Sequence, residues 1–313
     1  MRGVRVVTVV GLVMGAAGCG AAEAGDGTTE GAGGARGAAV IESAALAFGE
    51  QRLSTGVRLH YAVQGDPAGP AVILLHGYSD SWFSFSPILP LLPATYRVYA
   101  LDQRGHGGSD QPRAGYHMAD MAADVVAFMD AMRIPGAVVV GHSLGTFVAQ
   151  YVARAAPDRV RGLVLIAGAP SVQYMVGVDE FAEYVRSLQD SVPADFIREF
   201  QLSTVHTPLP EPFMARVIEE SGKLQPHVWR GIMEGMLASG PVSPGGGVAL
   251  PALILRGERD AVFPEAAHDS LAARNPGAEL HVYPETGHAI HWERPEQSTR
   301  DLITFLERVA PAR

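Results

Sequence analysis

Three consecutive valines, Val138 to Val140, run directly into Gly141-His142-Ser143-Leu144-Gly145, and that pentapeptide leads at once into Thr146–Ala155. The valines read as a buried strand and the stretch after the pentapeptide as a helix, so the chain must turn sharply between them. Glycines at 141 and 145 let strand and helix pass closely. Ser143 is then held out at the carboxyl edge of the sheet, above the positive end of the following helix.

The rest of the chain supplies partners for that strand. Val57–Gln64 alternates as a strand, Ala71–Leu75 is a buried apolar run, and Tyr96–Leu101 is another, ending at Asp102. The pattern predicts a helix over Trp82–Leu92 and another over Met118–Met132, where Met118, Met121, Val125, Phe128 and Met132 recur near helical spacing. Ala137–Val140 and Gly162–Ala167 read as strands flanking the helix Leu144–Ala155. Strands alternating with helices predict an α/β fold with a mostly parallel central sheet and helices on both faces. The rhythm breaks at about residues 170–240, where Val178–Leu188 and Phe213–Ser221 look helical and no strand stands out. It resumes, after a loop at 241–247, with Ala252–Leu255, Glu265–Ala273, Glu279–Tyr283 and Pro295–Val309. A helical insertion late in such a sheet predicts a cap over the strand ends, where ligands of these sheets bind.

A serine hydroxyl becomes a nucleophile only when a base takes its proton, and the base needs an acid to orient it. Arg256-Gly257-Glu258-Arg259-Asp260 follows one late strand and Thr286-Gly287-His288 follows the next, so both loops open at the sheet edge that carries Ser143. Asp260 is the expected acid and His288 the expected base, against the competitors Glu258 and Asp269 for the acid and His291 for the base. Acyl transfer also develops an oxyanion, which two backbone N–H groups can stabilise. Leu144, after the serine, and Tyr78, in the loop His76–Trp82 after the Ala71–Leu75 strand, are the expected donors. His76 and Trp82 themselves read as packing and loop residues, and His142 as a neighbour of the turn rather than a second base.

Composition narrows the partners. Asp and Glu total 33 against 24 Lys and Arg, a formal charge of −9 with Lys223 the sole lysine, and this excludes the clustered basic surface that nucleic acid requires. One cysteine, Cys19, allows no intramolecular disulfide and no thiolate metal cage. The 11 histidines are scattered without ligand spacing and no phosphate-binding glycine loop is present, so no metal and no cofactor is expected. The chain opens with a basic segment containing Arg2 and Arg5, an apolar run from Val6 to Ala17, and small residues before Cys19. This predicts a signal peptide over 1–18, too short to span a bilayer as a helix, then a lipidation site at Cys19 and a flexible linker over 19–48. The folded domain is expected from 49 to 313. An exported chain anchored at the cell envelope follows, with a periplasmic or secreted chain as the alternative, touching membrane only through the lipid at Cys19; oligomeric state is not legible.

Taken together, His76-Gly77, Asp102-Gln103-Arg104-Gly105-His106-Gly107-Gly108-Ser109, the Ser143 turn, Gly257-Glu258-Arg259-Asp260 and Gly287-His288 resemble, in order, the α/β-hydrolase superfamily with a helical cap. The resemblance covers about residues 50–310. It implies a mainly structural role for the Asp102–Ser109 loop and a hydrolase built on Ser143, Asp260 and His288. Similar enzymes that open epoxides or remove halides carry Asp where Ser143 stands, because an alkylated carboxylate is a cleavable ester whereas an alkylated serine is an inert ether. Serine points instead to an acyl-enzyme and to a small-molecule carboxylic ester as substrate. Lactones, carbon-carbon bond cleavage, cofactor-free perhydrolysis and a non-catalytic ligand receptor are the alternatives within the same layout. The aromatic and methionine side chains of the cap favour a small to medium apolar group.

Overall fold

The computed structural model describes residues 45–241 and 250–312; the expected signal peptide, Cys19 and most of the expected linker lie outside them. Eight strands form one sheet in the order β1-β2-β4-β3-β5-β6-β7-β8. They are β1 Ala47–Arg52, β2 Arg58–Gln64, β3 Ala71–Leu75, β4 Arg97–Leu101, β5 Ala137–His142, β6 Val160–Ile166, β7 Ala252–Gly257 and β8 Glu279–Tyr283. β2 runs antiparallel to both β1 and β4, and every other neighbour pair is parallel.

Period-two alternation explains why the central strands are apolar throughout. On β5, Val139 enters one core together with Leu163 and Leu165 of β6, while Val138 and Val140 enter the other with Val164 and Ile166. The helices α1 (Met118–Ala131) and α2 (Leu144–Ala155) cover the first face through Phe128, Val148 and Val152. The second is covered by Phe85, Ile88 and Leu92 and by α9 (Pro295–Val309), which follows the short α8 (Ile290–Glu293), through Leu302, Phe305 and Leu306.

Two local expectations change. Trp82–Leu92 forms short 3-10 turns at Trp82–Phe85 and Leu89–Leu91 instead of a helix. Pro87 and Pro90 lie inside this segment, and each removes a backbone donor that a continuous helix would use. The first strand begins at Ala47, inside the segment read as linker. It is an edge strand with mostly exposed residues, so it carries little apolar signal.

Between β6 and β7 come α3 (Val178–Ser187), α4 (Ala194–Ser203), α5 (Glu211–Ser221) and α6 (Pro226–Ala238). Because β6 and β7 are parallel neighbours, this segment leaves the sheet at the carboxyl edge of β6 and rejoins it at the amino edge of β7. Within it α3 packs on α6 and α4 on α5. Of its large apolar residues, Trp229, Met233 and Met236 are buried, whereas Phe181, Tyr184, Phe196, Phe200 and Phe213 are only half-buried. No helix of the described residues is long and apolar enough to cross a membrane.

Candidate active site

Ser143 sits between β5 and α2 with φ 51° and ψ −115°, a left-handed φ that a residue bearing a side chain adopts only when its surroundings enforce it. The enforcement is visible. A Cβ on Gly141 would stand 2.2 Å from the Gly145 carbonyl oxygen, and one on Gly145 would stand 2.0 Å from that of Leu75. Strand, helix and the end of β3 therefore meet backbone to backbone. The Ser143 N–H donates to the Ile166 carbonyl at 3.0 Å, and its carbonyl accepts from Thr146 N–H (2.8 Å) and Thr146 Oγ1 (2.7 Å). With its backbone anchored, the half-exposed side chain is left at the sheet edge.

Asp260 and His288 come together as expected. His288 Nδ1 donates to Asp260 Oδ2 at 2.9 Å, which fixes the tautomer and leaves Nε2 as the basic nitrogen. Asp260 Oδ1 accepts from the N–H groups of Val262 (2.8 Å) and Phe263 (3.0 Å), so neither oxygen is idle. Burial by itself would raise the Asp260 carboxyl, but the His288 ring beside it and these hydrogen bonds bring it below the ordinary carboxylate range. The two loops are locked together, since a Cβ on Gly257 would lie 2.0 Å from the Gly287 carbonyl oxygen. His288 is joined to the serine turn through the neighbouring residue: His142 Nε2 lies 3.3 Å from the His288 carbonyl oxygen, and the two rings are 5.1 Å apart. The Ser143 hydroxyl itself forms no hydrogen bond with another described residue.

The competitors have other partners. Glu258 is exposed and accepts from the Glu285 N–H at 3.2 Å, while Asp269 faces Arg256 at 3.7 Å. His291 is fully buried with Nε2 on Ser84 Oγ at 3.0 Å, against no carboxylate. His76 holds its loop: Nδ1 donates to the Gly77 carbonyl (2.8 Å) and Nε2 accepts the Gln103 N–H (3.1 Å). Asp102 accepts the Trp82 and Gly108 N–H groups and pairs with His60 at 2.8 Å, which ties the 102–109 loop to β2 and to the turn after β3.

Neither the Tyr78 nor the Leu144 N–H donates to another described residue, leaving both free for an anionic oxygen. The Tyr78 side chain is buried and its hydroxyl donates to the Trp229 carbonyl at 2.6 Å; burial pushes that phenol well up, so it keeps its proton. Three polar residues around the site were not singled out from the sequence. Asp80 lies 3.8 Å from His142 Nδ1, Gln201 reaches in from α4, and His268 of α7 (Glu265–Ala273) places Nε2 3.7 Å from Asp260. Asp80 could have been suspected, lying two residues after Tyr78 in the same loop; Gln201 and His268 are lone polar residues on helices and carry no sequence signal.

This geometry has relatives. A non-heme chloroperoxidase of Streptomyces lividans is 39% identical over 158 residues, which span 49% of this chain and 53% of that protein. A 2-(acetamidomethylene)succinate hydrolase of Mesorhizobium japonicum is 26% identical over 279 residues, covering 83% of this chain and 96% of the relative. Among solved structures, the esterase RhEst1 from Rhodococcus sp. ECU1013 superposes with a TM-score of 0.72 at 25% identity, over 84% of this chain and all but 1% of its own, the match covering 99% of it. Residues 70–295 match the family described as alpha/beta hydrolase fold, a span that contains the Ser143 turn, Asp260, His288 and the four inserted helices. The chain belongs to the alpha/beta hydrolase fold family.

Proposed function

We propose that the protein hydrolyses carboxylic esters through an acyl-enzyme on Ser143. The observation that carries this reading is the pairing of a serine held at positive φ with a buried Asp260–His288 couple whose free ring nitrogen is Nε2. In the first half-reaction Ser143 Oγ attacks the ester carbonyl, His288 Nε2 takes the hydroxyl proton, and Asp260 stabilises the resulting imidazolium. The Tyr78 and Leu144 N–H groups receive the tetrahedral oxyanion. Its collapse expels the alkoxide, which takes the proton from His288. Water, deprotonated by the same nitrogen, then attacks the acyl-serine and releases the acid.

The cap residues Phe181, Phe196 and Phe200 are half-buried and aromatic, which suits a short to medium apolar group better than a charged one. A series of p-nitrophenyl esters from acetate to palmitate tests the reading. We expect kcat/KM to peak at short or medium acyl chains and fall steeply toward palmitate. A maximum at palmitate would overturn the substrate assignment, and a folded protein inert on every ester would overturn the reaction. One observation favours a second reading on the same residues. The similarity to a chloroperoxidase makes hydrogen peroxide a candidate to replace water as the acceptor, so that the acyl-serine would yield a peracid. Running the same esters with peroxide present and assaying peracid separates the two.

A further inference from the structure

The loop that carries Tyr78 is held from the cap. Ser79, the next residue, has φ 64°, a left-handed conformation that a residue bearing a side chain adopts only when its surroundings impose it. The Asp80 N–H closes the turn on the Gly77 carbonyl at 3.3 Å, and the side-chain hydrogen bonds of Ser79 go to the inserted helices. Gln201 Nε2, on α4, lies 2.8 Å from Ser221 Oγ of α5, 3.0 Å from Asp80 Oδ1 and 3.2 Å from Ser79 Oγ, so its two hydrogens are shared among three acceptors. Ser79 Oγ also meets Ser221 Oγ at 3.3 Å, and Ser221 donates back to the Val217 carbonyl at 3.1 Å. All four residues are buried, Gln201 at 1% exposure and Asp80 at 4%. The amide cannot be turned over without setting its oxygen against the Asp80 carboxylate, which only accepts, so the donor orientation is fixed by chemistry. The Tyr78 hydroxyl, donating to the Trp229 carbonyl of α6 at 2.6 Å, adds a second tie to the cap.

We infer that Gln201 is a positioning residue: from the cap it sets the backbone of Tyr78–Asp80 and thereby aims the Tyr78 N–H at the oxyanion. The inference rests on the acyl-enzyme reading above and adds a residue and an element to it. The oxyanion loop belongs to the sheet, but its geometry is completed by α4, α5 and α6. In this role Gln201 acts through the loop and not on the substrate. Its removal should therefore leave ground-state binding in place and weaken only what forms after Ser143 attacks.

The test is Gln201→Met, which keeps length and removes the amide, with Gln201→Asn as a milder variant that keeps the amide one methylene short. Both are assayed on the best p-nitrophenyl ester and titrated with an aryl trifluoromethyl ketone. The ketone adds Ser143 Oγ to its carbonyl carbon, passes the serine proton to His288 and leaves an oxyanion facing Tyr78 and Leu144. A non-reacting alcohol of the same shape reports ground-state binding. We expect kcat to fall about 10- to 100-fold in Gln201→Met with KM within a factor of about three, and ketone affinity to fall by the same factor as kcat. Alcohol affinity should hold, and Gln201→Asn should lie between. Equal losses for ketone and alcohol, or no change in either, would overturn the positioning role. A folded wild-type protein that neither cleaves esters nor binds the ketone would instead overturn the acyl-enzyme reading. If Gln201→Met does not fold, the ketone-to-alcohol ratio of Gln201→Asn decides, and a ratio equal to wild type counts against the proposal.

Discussion

Ser143→Ala is expected to lower kcat on any ester the protein cleaves by roughly 10⁴ to 10⁶, with KM nearly unchanged. The size follows from what the hydroxyl does. Without Oγ there is no covalent intermediate, and His288 loses the proton it is placed to take. The residual rate then depends on the Tyr78 and Leu144 N–H groups and on orientation of the substrate. Fold and binding should persist, because Ser143 is anchored through its backbone N–H and carbonyl and not through its side chain. Asp260→Asn should lower kcat by about 10⁴, since an amide offers His288 Nδ1 a donor or a weaker acceptor and no longer stabilises the imidazolium. The double variant should be little worse than Ser143→Ala alone, because the residues act as one unit. Steady-state kinetics on purified variants, with circular dichroism to confirm folding, checks all three. A Ser143→Ala protein retaining more than a few per cent of wild-type kcat would refute the role given to Ser143.

The second large effect is on stability in acid. His76, His106, His142 and His291 are fully buried. Burial is the leading cause that pushes each below the ordinary value of 6.5, with repulsion from neighbouring histidine rings adding to it for His76, His142 and His291. His106 is held down to about 4. A histidine kept neutral in the folded chain but free to protonate in the unfolded one favours unfolding as protons are added. Its contribution is whole above pH 6.5 and is lost as pH falls toward the folded value. For His106 alone the difference between 6.5 and about 4 corresponds to about 3 kcal/mol, against a total stability of roughly 5–15 kcal/mol for a domain. His76, His142 and His291 shift in the same direction, so unfolding should come on steeply between about pH 6 and 4. Urea midpoints measured at half-unit steps from pH 8 to 4.5 should be flat at the alkaline end and collapse below about pH 6. Midpoints that stay level down to pH 5 would show that these rings titrate freely.

How much of this was readable in advance depends on what kind of signal each part leaves. Strands β3 and β8 and helices α2, α7 and α9 have the bounds their patterning predicts: β3 is nearly all buried and apolar throughout, the helices alternate at their own period, and β8, a partly exposed edge strand, is bracketed by Asn275-Pro276-Gly277 and Pro284. The Ser143 turn was legible because two glycines are needed where backbone meets backbone. Asp260 and His288 were legible because parallel strands deliver their following loops to one edge. The 82–92 segment departs from expectation because its apolar residues sit at helical spacing while Pro87 and Pro90 forbid the hydrogen bonds. β1 left no trace because an exposed edge strand needs few apolar residues. Gln201, Asp80 and Ser221 could not have been joined from sequence, since their meeting depends on how the inserted helices sit over the β3 loop, and no local pattern encodes that.

The central claim is that Ser143 is the nucleophile, and trapping tests it most directly. Diethyl p-nitrophenyl phosphate should react with the protein once per chain: Ser143 Oγ bonds to phosphorus, p-nitrophenolate leaves, and the serine proton passes to His288. The account predicts one equivalent of p-nitrophenolate, loss of esterase activity in step with it, and a single diethylphosphoryl group on the peptide containing Ser143. Ester cleavage that survives complete labelling, or a label on any other residue accompanying the loss, would contradict it.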